Sequence, residues 1–213
     1  LYVELAPLNQ VHVTGYFDAT VMQWEELLFG TQLATVFSEW YGKLWFSEML
    51  HLGYFSYYFI VPGAAATAYL LKGPRALERA SFTIALAFFV CYLCFSVFPV
   101  AGPRYDFPQI AGEAADGKMF ALVHTILESG SSKGTAFPSS HVAATLSAWF
   151  ATGRESKRVF WIMAPFAVSL ALGTVFGRFH YGIDAMVGLI VAIAAYLATP
   201  WLMRRLEGGN SQS

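Results

Sequence analysis

Three polar stretches carry residues able to do chemistry in an otherwise apolar chain. GTAFPSSHVAATLSAW, residues 134–149, brings Ser139, Ser140 and His141 to the start of an apolar segment; GRFHYGID carries Arg178, His180 and Asp184; PVAGPRYDF carries Arg104. His180 and Asp184 are four residues apart and share one face of a helix. A carboxylate accepting from one imidazole nitrogen fixes the tautomer and frees the other nitrogen as nucleophile or base. The alternative is a satisfied structural pair, although an ionisable pair at a membrane span end is costly and favours function. Pro138 suits a first helical turn, where its missing N–H costs nothing, so the N–H groups of Ser139, Ser140 and His141 are expected free to bind an anion such as phosphate. His141 then lies close enough to give that anion a proton. Plain N-capping by serine is the competing reading. His141, His180 and Asp184 are also zinc-ligand types, but Arg104, Lys133 and Arg178 repel a cation and attract a phosphate, so that reading ranks below. No metal and no cofactor are expected.

The elements that position these residues belong to a membrane protein. Of 213 residues 56% are hydrophobic and only 13% charged, against about 25% charged in soluble domains; the mean hydropathy is +0.50. The net charge of −1 argues against a nucleic-acid partner, since no basic patch displaces counterions. An all-α, polytopic membrane helix bundle is expected, with five spans at about 51–71, 80–100, 138–153, 158–176 and 183–203. The third is short, which suits a helix starting below the surface in a protein-lined cavity. Eight of the thirteen basic residues, among them Lys72, Arg75, Arg79, Arg154 and Arg204, fall on one side of this scheme. The positive-inside rule then puts Arg104, Lys133, His141, Arg178 and His180 on the extracytoplasmic side.

The first 47 residues are expected to form an interfacial amphipathic segment. Within DATVMQWEELLFG, Asp18 suits an N-cap, Val21, Trp24 and Leu28 share the apolar face, and Glu25 lies near the other. Trp40, Trp45, Tyr54, Tyr57 and Tyr58 suit an aromatic belt. His12 and His51 are expected at the interface and His124 on a short amphipathic helix over the mouth, all three non-catalytic. Cys91 and Cys94 suit core packing, because no second Cys/His pair completes a zinc site. The domain proper is expected over about 48–205, with a disordered tail from 206 to 213. The oligomeric state is not legible.

These residues resemble the type 2 phosphatidic acid phosphatase superfamily of integral membrane lipid phosphatases and phosphotransferases. That family's motifs read as a lysine with Arg-Pro, then P-S-G-H, then S-R-x5-H-x3-D. Here the second is Pro138-Ser139-Ser140-His141, with serine at the glycine position, and the third keeps His180 and Asp184. Thr174 stands where the third-motif arginine belongs, with Arg178 one turn further on; GPRY supplies Arg104, and Lys133 is the candidate for the missing lysine. The resemblance covers about residues 50–203. His-Tyr with aspartate at i+4 also looks like the inositol phosphorylceramide synthase branch, which transfers a phosphoryl headgroup between lipids.

The resemblance implies six spans, the first preceding Leu1, and a metal-independent phosphoryl transfer. His180, oriented by Asp184, is the implied nucleophile and His141 the acid and base. Arg104, Arg178, Lys133, Ser139 and Ser140 hold the phosphate. The expected function is a lipid phosphate phosphatase acting on a lipid phosphomonoester or diphosphate among membrane lipids. The alternatives are a phosphotransferase with an alcohol acceptor, and a non-catalytic protein that binds or transports a lipid headgroup.

Overall fold

The computed structural model describes residues 5–11 and 13–210; His12 lies outside the described residues. The chain forms α1 (Leu5–Leu8), α2 (Asp18–Phe29), α3 (Leu33–Trp40), α4 (Leu44–Phe55), α5 (Tyr57–Lys72), α6 (Pro74–Val97) and α7 (Pro103–Asp106). After a short 3-10 turn at Gly112–Ala115 follow α8 (Lys118–Gly130), α9 (Ser140–Glu155), α10 (Lys157–Phe176) and α11 (Gly182–Asn210). Among the described residues there is no strand, only an isolated parallel bridge between Val100 and Thr135.

Three helices, α6, α10 and the stretch of α11 at Gly182–Glu207, are long and apolar enough to cross a membrane. The other two expected spans, α5 and α9, have 16 residues each. The first starts late because the helix breaks at Ser56, where α4 gives way to α5. The second has a different cause. Helix α9 packs against α5, α6, α10 and α11, and most of it is buried, through small residues such as Ala143, Ala144, Thr145, Ser147 and Ala148. Small side chains let four neighbours approach one backbone, and a helix that meets protein on every side has no need of a lipid-facing apolar surface. Close approach recurs where α4 crosses α10: a Cβ on Gly173 would stand 2.5 Å from the Leu50 carbonyl oxygen.

The N-terminal helices differ from expectation. Asp18 is the first residue of α2 rather than its cap, and the buried face is Asp18, Val21 and Glu25. Trp24 and Leu28 are exposed. Of the two carboxylates on the inner stripe, Glu25 reads from the sequence as polar outer face and Asp18 as a cap; both are buried because backbone N–H groups of other segments meet them. Glu25 accepts from Leu33 N at 2.8 Å and Ile183 N at 3.1 Å, so one side chain caps the starts of α3 and α11. Burial pushes its carboxyl above the usual range, against the lowering effect of those amides.

Trp40, Trp45 and Tyr58 are exposed, as belt residues are, but Tyr54 is buried, and both Tyr54 and Tyr57 pack on the His141 ring. His51 is buried rather than interfacial, its Nδ1 2.7 Å from the Ser47 carbonyl oxygen. His124 stacks on Phe120 in α8 at 4.0 Å. Cys91 and Cys94 are free thiols. The expected disordered tail begins as helix, since α11 continues to Asn210; Arg204, Arg205, Leu206 and Glu207 are good helix formers.

Candidate active site

The turn between α10 and α11 carries His180. Helix α10 ends at Phe176, and the Thr174 carbonyl accepts from both Phe179 N and His180 N at 3.0 Å. Arg178 takes a left-handed conformation, φ 58°, which closes the helix end as such residues do and reverses the chain. His180 thereby returns toward α9.

The His180 Nδ1 lies 2.9 Å from the Ala136 carbonyl oxygen. A carbonyl only accepts, so Nδ1 carries the proton and Nε2 keeps its lone pair. The expected partner, Asp184, is not the acceptor: its Oδ2 is 3.6 Å from Nδ1 and accepts instead from Tyr181 N at 2.8 Å. Asp184 thus braces the turn and stays beyond hydrogen-bond range of the imidazole, while its Oδ1 meets no protein partner. Burial lowers the His180 pKa to about 4, opposed by the bond to Ala136.

Helix α9 carries His141. Its N-cap is Ser139, whose Oγ accepts from Val142 N at 3.3 Å. Pro138 therefore stands one residue before the cap, behind a cis Phe137–Pro138 bond, not inside the first turn. Ser139 N is also taken, donating to the Asp184 carbonyl at 3.0 Å, which leaves the amides of Ser140 and His141 as the orphan donors of the helix start. His141 Nε2 is 3.2 Å from the Tyr54 hydroxyl, and its ring centroid is 6.1 Å from that of His180.

The third component comes from the segment after α6. Ala136 N donates to the Val100 carbonyl at 2.9 Å, laying this segment beside the one that leads to α9. Gly102, at φ 103°, passes so close that a Cβ there would meet Ala136 Cβ at 3.1 Å and the Phe179 carbonyl oxygen at 3.3 Å; only glycine fits both demands. Arg104, two residues on, reaches Ser131 Oγ at 3.1 Å.

Arg104, His141 and His180 line one cavity of about 40 Å³, together with Tyr54, Ser131 and Ser132. A second cavity of about 230 Å³ shares Leu127, Ser131 and His141 with it and is walled by Tyr57, Tyr58, Phe88, Tyr92 and Ser140. Ser140, at the family's glycine position, lines this side cavity and not the one between the histidines, so its hydroxymethyl does not crowd a phosphate there. Among the described residues no group of three or more His, Cys, Asp or Glu gathers as metal ligands.

Two expected phosphate ligands are elsewhere. The left-handed turn aims Arg178 away from the cavity, onto Ser38 Oγ, the Pro108 carbonyl and Glu39. Lys133 is exposed, with its ammonium over the rings of Tyr16 and Tyr105. Missed from the sequence were Tyr54, the Ala136 carbonyl and Asp18. A main-chain acceptor leaves no mark in residue identity. Asp18 did leave one, the i, i+3, i+7 stripe it shares with Val21 and Glu25.

Two imidazoles and a guanidinium thus share one cavity of a helical membrane bundle, a set of groups able to hold an anion and move a proton. A family model described as the PAP2 superfamily matches residues 19–198, and the chain belongs to that superfamily, whose members are phosphatases and related phosphoesterases. No curated protein and no solved structure gives a significant match. The matched region begins inside α2 and so takes in most of this helix.

Proposed function

We propose that this protein is a lipid phosphate phosphatase that works through a phosphohistidine on His180, without a metal, at the extracytoplasmic face. The observation that carries the reading is one cavity lined by His180, His141 and Arg104, with the His180 proton held on Nδ1 by the Ala136 carbonyl. The Nε2 lone pair attacks phosphorus and the P–O ester bond breaks. The negative charge of the bound phosphate draws a proton onto His141, and His141 gives that proton to the leaving lipid oxygen. Water then transfers a proton to His141 as its oxygen attacks phosphorus, the N–P bond breaks, phosphate departs and both histidines return to their starting states. Arg104 and the amides of Ser140 and His141 hold the charged equatorial oxygens.

In-line displacement brings the lipid oxygen out on the His141 side, where the 230 Å³ cavity opens. The same cavity favours a second reading, in which an alcohol replaces water and the protein is a phosphotransferase. A lipid phosphate labelled with ³²P tests both. Free phosphate that depends on His180, with an acid-labile phosphoenzyme lost in His180→Ala, supports the first; label on an added alcohol supports the second. Wild-type turnover by His180→Ala refutes the mechanism, and headgroup binding with neither product leaves a binding protein.

A further inference from the structure

The Asp18 carboxylate joins two of the segments that meet at the cavity. Its Oδ2 accepts from Ala101 N and its Oδ1 from Gly102 N, both at 2.8 Å. These amides lie two and three residues before Arg104. Its Oδ1 also lies 3.1 Å from the Tyr181 hydroxyl, on the residue directly after His180. Asp18 and Tyr181 are buried and neither lines the cavity, so they touch the chemistry only through what they hold.

The Tyr181 hydroxyl also lies 2.9 Å from Asp106 Oδ2. One hydroxyl proton cannot serve two carboxylates. Desolvation raises the Asp106 pKa, the Asp18 carboxylate adds to the rise, and the Tyr181 bond and Lys133 oppose it. A proton on Asp106 would be donated to the Tyr181 oxygen and leave the tyrosine proton for Asp18.

We propose that Asp18 and Tyr181 are positioning residues: a carboxylate from α2 clasps the backbone that carries Arg104 to the turn that carries His180, and so sets the distance between cation and nucleophile. The clasp rests on the phosphatase reading above, because its effect is exerted on Arg104 and His180 acting together. Asn in place of Asp18 accepts one of the two amides and turns an NH₂ toward the other, so one arm opens. Loss of the Tyr181 hydroxyl opens the opposite arm and keeps both amides.

The test is a double-mutant cycle in the full chain, extracted in detergent, with kcat and KM on a lipid phosphate and orthovanadate affinity measured for each variant. Asp18→Asn is expected to lower kcat/KM about 30- to 100-fold, mostly in kcat, as misplacement near 1 Å does. In an Arg104→Ala background the same change is expected to cost about 3-fold or less, because the group it positions is gone. Tyr181→Phe, which deletes one oxygen and keeps the ring, is put through the same cycle and decides the matter if Asp18→Asn fails to fold; an Arg104-dependent loss of about 5- to 10-fold is expected. Equal losses in both backgrounds overturn the clasp and leave a residue that only stabilises the fold. A wild-type protein that neither releases phosphate nor binds orthovanadate overturns the phosphatase reading and the clasp with it, whereas an active wild type with additive variants overturns the clasp alone.

Discussion

Replacing Arg178 separates a phosphate ligand from a strut. Its side chain is 8% exposed and directed onto Ser38, Pro108 and Glu39. Arg178→Ala leaves the Pro108 carbonyl and Ser38 Oγ without their charged donor. Of the two only Ser38 is buried, and it still donates to Thr35, while Pro108 is exposed and its carbonyl can turn to water; at about 1–3 kcal/mol for an orphaned buried group, the loss comes to about 2 kcal/mol. The contact with Glu39, whose side chain is 68% exposed, adds little. The left-handed φ of 58° offers an internal control. An L-residue there carries about 1–2 kcal/mol of strain that glycine lacks, while glycine costs about 0.5–1 kcal/mol more through the unfolded chain. Arg178→Gly is therefore expected to be more stable than Arg178→Ala by about 0.5–1 kcal/mol. Thermal unfolding in detergent reads these differences, and orthovanadate binding reads the site. Both variants are expected to keep orthovanadate affinity within about 2-fold, where Arg104→Ala loses about 100-fold. A loss in Arg178→Ala comparable with that in Arg104→Ala refutes the strut.

The acid limb of kcat/KM is set by His180, neutral and nucleophilic until the pH nears its lowered value of about 4, so activity persists at pH 5.5 and falls steeply below about 4.5. The same depression makes the fold bind this proton less readily than the unfolded chain does. Its contribution, about 3 kcal/mol, is present above pH 6.5 and lost as the pH falls toward 4, so wild type should lose more stability than His180→Ala over that window. Glu25→Ala removes the shared cap of α3 and α11 and is expected to cost about 2 kcal/mol by chemical unfolding. Filling the side cavity with Tyr92→Trp should lower kcat/KM for a long-chain lipid phosphate at least 10-fold while a soluble aryl phosphate is hydrolysed at nearly the wild-type rate; equal losses on both would remove that cavity from lipid binding. A cysteine at Lys133 should be labelled by an impermeant reagent from the extracytoplasmic side, with activity retained.

What the sequence disclosed depended on whether a residue's partner was written in its neighbours. His141, Arg104 and His180 fall at matching ends of their helices, and the alternation of apolar runs with polar turns was enough to bring them to one mouth. Arg178 lies among them in sequence and leaves them in space, because one left-handed residue rotates its side chain outward, and no spacing rule for a helix applies across such a turn. Asp184 was paired with His180 by the i, i+4 rule, yet a carbonyl from another segment fills that position; main-chain acceptors are the same in every residue type. The shortness of α9 pointed to a start inside a protein-lined cavity, and its alanines, serines and threonines went further in describing a helix wrapped by others. Glu25 looked like an outer face and Asp18 like a cap, because charge predicts exposure unless the donors that satisfy it are known.

The joints between the three site segments run through backbone atoms: Ala136 N to the Val100 carbonyl and Ser139 N to the Asp184 carbonyl, with the Ala136 carbonyl taking the His180 proton. Such joints are indifferent to the letters at their own positions. A lineage can therefore exchange glycine for serine at 140, or arginine for threonine at 174, and keep the cavity's dimensions, so motif drift and loss of catalysis become separable events. Proline is the exception at 136 and 139, since it has no N–H to donate, and a descendant carrying it there would have surrendered the geometry even with both histidines intact.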